Sequence, residues 1–313
     1  MKNNNFKITT AKLAQICNVS QGTVDRALNN REGISEKTKK HVLEVAREYG
    51  YLEDTFTKEY QGTVGIIVFD VYNKYFAELI MHLEEACRRA GLSPVVMFSR
   101  KDPREERACI ERLYFMGVKG IVLCPINKGA DFAAYLSSLK IPVICTGNRV
   151  EGIAHAGIDD FRAMTDVVSC VMEKEYERLI YYAPVLQKLG DVNGYSQEKR
   201  YEGFLAAAGG SNAEALTCTE LAQVEEALQC EKKTAVIAPS DVYALQVRLA
   251  LGNRGYGLIG FDNTALMDFD WIQLDSVECN TLRTAESAIE YIMNPQGAFF
   301  CETEHQIIHR GSL

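Results

Sequence analysis

The sequence predicts an α/β protein in two parts: an N-terminal three-helix head containing a helix-turn-helix, and a two-lobed, doubly wound body. Three observations carry this. Helical periodicity fills the first fifty residues. Beyond residue 63, short apolar runs alternate with helix-length amphipathic segments, the pattern of parallel sheets covered on both faces. The charge is also split. Six lysines and three arginines against five carboxylates give residues 1–50 a charge of +4; the 313-residue chain carries −8, which leaves −12 on the rest. A small basic head on an acidic body suits site-directed binding of nucleic acid by the head and argues against a general basic coat.

In the head, Thr9 or Thr10 is placed to cap a helix that runs to about Cys17, with Leu13, Ala14 and Cys17 facing inward. Residues 18–20 make a short turn. Ser20 then caps a second helix, where its hydroxyl can take a first-turn N–H. Val24 and Leu28 share one face of that helix. Gln21, Asp25 and Asn29 form an i, i+4 ladder on another, with Arg26 beside it. One face for a small core and one of hydrogen-bonding side chains is what a helix in a major groove needs; an ordinary amphipathic surface helix is the competing reading. A loop over 30–33 follows. Ser35 caps a third helix whose Val42, Val45, Ala46 and Tyr49 recur at helical spacing, and Gly50 is placed to end it.

Residues 8–51 resemble the head of the lactose-repressor (LacI/GalR) family of bacterial regulators. The matching text is Ile8-Thr-Thr-Ala-Lys-Leu-Ala, Asn18-Val-Ser-x-x-Thr-Val-x-Arg-Ala-Leu-Asn, Ile34-Ser-x-x-Thr and Tyr49-Gly-Tyr51. The resemblance implies that Gln21, Gly22 and Arg26 occupy base-reading positions and that Ser20, Thr23, Ser35 and Thr38 touch phosphates. Their chemistry agrees: Arg bonds guanine bidentately, Gln suits adenine, and hydroxyls at helix starts suit phosphate oxygens. Two residues depart from the pattern. Gly22 offers no side chain to a base; it either permits close backbone approach or leaves a base unread. Asp25 is repelled by phosphates; it either accepts from a cytosine amino group or orients Arg26 or Arg31 as a salt-bridged partner.

Residues 51–62 fall where the family has a hinge that folds on operator DNA. Glu53 and Asp54 replace the usual Pro-Asn, and Tyr60 stands near the position of a minor-groove leucine. Three acids (Glu53, Asp54, Glu59) are poor company for a minor groove. Either Phe56 or Tyr60 packs between paired hinges, or the segment is a plain polar linker.

In the body, apolar runs at 64–69, 94–99, 120–125, 142–147, 178–184, 234–239 and 258–262 read as strands. Helical patterns occupy 75–90, 105–116, 161–174, 197–208 and 242–251. Seven strands in two groups make two doubly wound lobes with a cleft between them, and ligands bind beyond the carboxyl ends of such strands. Those ends carry Asp70, Tyr72, Asn73, Tyr75 and Phe76, then Gly147, Asn148 and Arg149, and later Ser240, Asp241, Asp262 and Asn263; Arg200 opens a helix. Carboxylates, amides and Arg bond sugar hydroxyls, while aromatic faces pack on ring C–H surfaces.

The body resembles the same family's effector domain, which is similar to periplasmic sugar-binding proteins. The resemblance rests on Val64-Gly-Ile-Ile-Val, Asn73-x-x-Phe76, Gly120-Ile-Val-Leu, Arg200-x-x-Gly-Phe204, Ser240-Asp241, Ile259-Gly-Phe-Asp-Asn263 and the closing His309-Arg-Gly-Ser. It implies effector contacts at Asn73, Phe76, Arg200, Ser240 and Asp262, to which the strand-end reading adds Asn148. Ser240 stands where Asn is usual, Gly147 where many sugar binders have Asp, and a frequent Gln is missing near Val277-Glu-Cys279.

Catalysis finds little support. No dinucleotide glycine motif follows the first strand, and neither a phosphate-loop motif nor a nucleophile elbow is present. His305 and His309 have i, i+4 spacing, but the alternation around them reads as a terminal strand rather than a metal site. Ten cysteines lack a C-x-x-C pair and read as reduced core thiols. No cofactor or metal is expected. No apolar run spans a bilayer and the N-terminus is polar, so a cytoplasmic location without membrane contact is expected. The sequence thus points to a DNA-binding regulator, by resemblance a repressor. Its expected partners are a roughly palindromic operator, a second copy of itself and a small sugar or polyol effector. The alternatives are a soluble sugar-binding or sugar-processing protein, and a DNA-binding regulator with no small-molecule effector.

Overall fold

A computed structural model describes residues 8–28, 31–49, 51, 62–188, 190–252, 255–296 and 299–313. The chain divides into two compact units between Gly62 and Thr63.

The first unit contains α1 (Thr10–Ile16), α2 (Gln21–Leu28) and α3 (Glu36–Glu48). Thr9 caps α1 by accepting the N–H of Lys12. Asn18 turns the chain at φ +53°, a left-handed conformation that Asn tolerates. Leu13, Ala14, Cys17, Val24, Ala27, Val42 and Ala46 form the core. One expectation fails here. Tyr49 is 53% exposed; Tyr51 packs on the core instead, and its hydroxyl meets that of Thr10 at 2.6 Å. Phe56, Tyr60 and Gly50 lie outside the described residues.

The second unit begins with β1 (Thr63–Val68), α4 (Lys74–Arg89), β2 (Ser93–Phe98), α5 (Pro103–Phe115), β3 (Ile121–Leu123), α6 (Ala130–Ser138), β4 (Val143–Thr146) and β5 (Ala154–Gly157). It continues with α7 (Asp160–Met172), β6 (Arg178–Tyr182), α8 (Tyr195–Gly209), β7 (Glu214–Cys218), α9 (Leu221–Ala227), β8 (Thr234–Ile237), α10 (Asp241–Leu251), β9 (Gly257–Ile259) and β10 (Ser276–Glu278). It ends with α11 (Thr281–Met293), β11 (Phe300–Glu302) and β12 (Gln306–Ile308).

Two parallel sheets result, with strand orders β11-β5-β4-β3-β1-β2 and β7-β6-β8-β9; β10 and β12 pair antiparallel. All seven expected strands are present. Side-chain alternation gives each sheet two buried faces. In the first lobe Val64, Ile66 and Val68 face the side covered by α4 and α11, while Ile67, Ile121 and Leu123 face α5 and α6. In the second, Leu179 and Tyr181 face α7 and α8, while Ile180 and Tyr182 face α9 and α10. The chain crosses between lobes three times, after β5, after β10 and after β11. Both sheets therefore aim their carboxyl ends at the seam.

Gly255-Tyr-Gly257-Leu-Ile-Gly260 has the spacing of a dinucleotide loop, yet it runs through β9 instead of turning into a helix. Its glycines serve packing: a Cβ on Gly257 would strike the Tyr176 ring, and one on Gly260 the Asp241 carboxylate.

His155 in β5 is 3% exposed. Its Nε2–H donates to Gly147 O at 3.1 Å, and Nδ1 has no partner. Burial pushes its pKa down to about 3, and the nearby Arg149 adds to this. A histidine with a depressed folded-state pKa stabilises above its unfolded pKa, about 6.5, and that stability is lost as pH falls towards 3. Urea unfolding is thus expected to weaken by up to about 1.4 kcal/mol per pH unit below about pH 6.5 through this group. His155→Gln should flatten that slope; an unchanged slope would assign acid sensitivity elsewhere.

Candidate DNA-reading face and interlobe site

In the head, two hydroxyl pairs repeat one geometry. Ser20 Oγ accepts the N–H of Thr23 at 3.1 Å and meets Thr23 Oγ1 at 2.9 Å. Ser35 Oγ accepts the N–H of Thr38 at 3.1 Å and meets Thr38 Oγ1 at 2.8 Å. Each pair sits at a helix start, where unpaired N–H groups and the helix dipole favour anions. Gln21, Gly22 and Arg26 are exposed on α2. A Cβ on Gly22 would lie 3.6 Å from an Arg26 guanidinium nitrogen, and one on Gly33 would lie 3.7 Å from the Arg26 stem. The two glycines thus flank the Arg26 side chain. Asp25 bonds Arg31 at 3.1 Å, the salt-bridged option among those its position allowed. This draws the carboxylate towards a cation other than Arg26.

In the body, a buried polar cluster centres on Arg200, 7% exposed in α8. Its Nε donates to Asp160 at 2.8 Å, and one terminal nitrogen donates to Pro239 O at 2.6 Å and reaches Asp262 at 3.4 Å. The guanidinium lies 3.7 Å from the Phe261 ring centroid. Asp262, at φ +107°, is fixed by its N–H to Val277 O at 2.9 Å. Its second oxygen accepts Asn73 Nδ2 from the other lobe at 3.1 Å. Asn73 also caps α4 by accepting the Tyr75 N–H. Phe76 follows on α4, edge-on to Phe69 at 4.3 Å and to Tyr75 at 5.1 Å.

Burial pushes the carboxyls of Asp160, Asp241 and Asp262 above their ordinary range. Arg200 pulls Asp160 and Asp262 back, while the Asp262 charge raises Asp241 further. Asp241 is held by the N–H of Thr264 and the hydroxyl of Ser276.

The structure therefore joins Asn73, Asp262 and Arg200 in one chain of hydrogen bonds, with Phe76 beside Tyr75. Ser240 and Asn148 stand outside this chain of bonds. Ser240 caps α10 through the Tyr243 N–H at 3.4 Å. Asn148 clasps the lobes: Nδ2 donates to Pro125 O and Asn193 O at 3.1 and 2.8 Å, and Oδ1 accepts the Ser196 N–H at 3.1 Å. Asn193 completes the clasp with Nδ2 bonds to Asn127 O and Arg149 O. Buried Glu106 holds the receiving loop through the N–H groups of Ile126 and Asn127. Sequence reasoning missed Asp160, Asn193 and Glu106. Asp160 carried a signal, since it opens a helix after a short apolar segment; the other two carried none.

Residues 11–54 match the family described as "Bacterial regulatory proteins, lacI family". Catabolite control protein A of Priestia megaterium is 24% identical over 292 residues, covering 87% of each chain. The solved lac repressor dimer bound to operator and an anti-inducer superposes with a TM-score of 0.70 at 13% identity, over 98% of this chain and 99% of that one. A transcriptional regulator CelR–cellobiose complex gives 0.65 at 18% identity, over 98% and 100%. These relatives are regulators and not enzymes. Head motif and family match identify residues 11–54 as the DNA-binding segment of the lacI family of bacterial regulatory proteins, and the chain is similar in fold to the lac repressor.

Proposed function

We propose that the protein is a homodimeric repressor whose affinity for a roughly palindromic operator is set by a small sugar or polyol held between the two lobes. In this reading residues 1–50 are the DNA-binding domain, 51–62 the hinge and 63–313 the effector-binding and dimerisation domain. Gln21, Gly22 and Arg26 read bases, and the Ser20–Thr23 and Ser35–Thr38 pairs grip phosphates. One head reads few base pairs, so useful specificity needs two. Dimerisation through the β2 edge of the first sheet is supported by exposed apolar side chains on the elements that meet there: Met81 on α4, Phe98 at the end of β2, and Phe115 and Met116 at the end of α5. No helix among the described residues is long and apolar enough to cross a membrane.

The observation that carries the effector reading is the bond from Asn73 of one lobe to Asp262 of the other, continued to Arg200. A hydroxylated ligand offers both a donor and an acceptor, so it can take the place of that bond and change how the lobes meet. Such a ligand shifts the population of lobe arrangements by its differential affinity, and DNA reciprocally changes ligand affinity.

The same observation also favours a second reading. The polar groups of the seam are already satisfied by one another, as they would be in a regulator that senses no small molecule. Thermal unfolding across a panel of sugars, polyols and their phosphates separates the two. A ligand at a hundredfold its Kd is expected to stabilise the protein by about 2.7 kcal/mol. That stabilisation should be lost in Asp262→Asn. No shift across the panel would leave the second reading standing.

A further inference from the structure

Outside the head and the seam, α7 packs against the C-terminal segment and places three reactive groups in line. Cys170 Sγ lies 4.0 Å from His309 Nε2. His309 Nδ1 lies 3.1 Å from Asp275 Oδ2. Asp275 is fully buried, and its other oxygen accepts the N–H groups of Arg310 and Ser312 at 2.8 and 3.0 Å. Burial alone would raise this carboxyl, but the N–H groups of Ser312 and Arg310, the His309 bond and the Lys174 charge outweigh it and hold it below its ordinary range. An ionised carboxylate only accepts. In the neutral imidazole Nδ1 of His309 therefore carries the proton, which leaves the Nε2 lone pair on the side of the thiol.

Cys170 itself is half-buried. Burial pushes its thiol up; Lys174 opposes this, and Glu173 and Asp275 add to it. The resting group is thus the thiol. A thiol in such surroundings is inert unless a base removes its proton as it reacts. Two other charged groups on this face are engaged: Asp166 bonds His305 at 2.9 Å, and Lys174 Nζ bonds Leu313 O at 3.3 Å; Glu173 is exposed. His309 is 52% exposed, so solvent and small oxidants reach the base side of the pair.

We propose that Cys170, His309 and Asp275 form a nucleophile, base and orienting acid that make Cys170 a site of oxidation by small peroxides. The sulfur attacks one peroxide oxygen. The S–O bond forms as the O–O bond breaks, and sulfur gives up two electrons while the peroxide is reduced. The thiol proton passes to His309 Nε2 and then to the departing oxygen. With hydrogen peroxide the products are the Cys170 sulfenic acid and water. Asp275 stays ionised throughout and fixes the tautomer of the base.

Cys230 is the internal control. It is exposed, it lies 2.9 Å from an Arg178 guanidinium nitrogen, and among the described residues no histidine bonds it. By exposure alone it should react first. The test treats the full chain with brief pulses of hydrogen peroxide in the presence of dimedone, which traps sulfenic acids, and quantifies each cysteine by peptide mass spectrometry between pH 5.5 and 8. Cys170 is expected to label, and in His309→Gln its labelling should fall about tenfold or more while Cys230 is unchanged. In the wild type, the pH profile of Cys170 labelling should differ from that of Cys230, which no histidine assists among the described residues. This profile needs no variant to fold. Labelling of Cys170 as slow as that of buried Cys87, equal labelling in His309→Gln, or a Cys170 pH profile that parallels Cys230 would each overturn the proposal.

Discussion

Arg26→Ala is expected to remove operator selection while leaving the head folded. The side chain is exposed on α2, its stem is flanked by Gly33 and its guanidinium by Gly22, and it makes no hydrogen bond or ion pair with another described residue. The neighbouring carboxylate, Asp25, is bonded to Arg31. Among the described residues nothing engages the guanidinium, which leaves its donors for a base edge. A bidentate contact to guanine contributes about 1–3 kcal/mol of discrimination. In the proposed dimer the contact is used twice, so the loss should be roughly thirtyfold to twenty-thousandfold in affinity for the preferred site. Selection of duplexes from a random pool is the measurement. The wild type should enrich a roughly palindromic sequence, and the variant should not. Thr38→Val, which removes a hydroxyl assigned to phosphate, should weaken every sequence about equally and leave the enriched site unchanged. If Arg26→Ala enriches the same sequence with the same affinity, α2 is not read through this residue, and the exposed Gln21 becomes the remaining side chain able to reach a base.

What was legible in the sequence follows the reach of the forces involved. The head reads almost completely because its determinants are local. Ser20 and Ser35 cap helices within three residues of themselves, and Leu13, Val24 and Val42 mark core faces by spacing alone. Tyr49 and Tyr51 were exchanged because both fall near the same stripe, and the choice depends on a hydroxyl of α1, forty-one residues away. In the body, strands of continuous Val, Ile and Leu announced themselves. β5 (Ala-His-Ala-Gly), β7 with its alternating exposure and the three-residue β10 and β11 did not, since each is ordered by the strand beside it. The site divides in the same way. Arg200 and Asp262 stand at positions that chemistry singles out. Asn148 stands out in the sequence because it is polar and follows a strand, while its three bonds to the other strands and lobe are visible only in three dimensions.

Replacing Arg200 by Met should destabilise the body by about 3–5 kcal/mol at neutral pH, because it leaves buried carboxylates without their cation. Asp160 and Asp262 are 6% and 5% exposed, and both bond this guanidinium. Burial already raises both carboxyls and Arg200 pulls them down; without it they rise further. A carboxyl whose folded pKa exceeds its unfolded value stabilises below the unfolded value, about 4, and loses that stability as pH climbs through the folded value. The deficit of Arg200→Met relative to wild type should therefore be small near pH 4.5 and widen towards pH 8, as measured by urea unfolding at each pH. Taking the difference cancels the acid loss assigned to His155, which both proteins share. Adding Asp160→Asn to the variant should recover part of the neutral-pH loss, since it removes one of the stranded charges. A deficit independent of pH would mean that the cost lies in the lost packing of the guanidinium on Phe261, 3.7 Å away. The seam would then be held by shape, and the Asn73–Asp262 bond would be too weakly charged to report a ligand between the lobes.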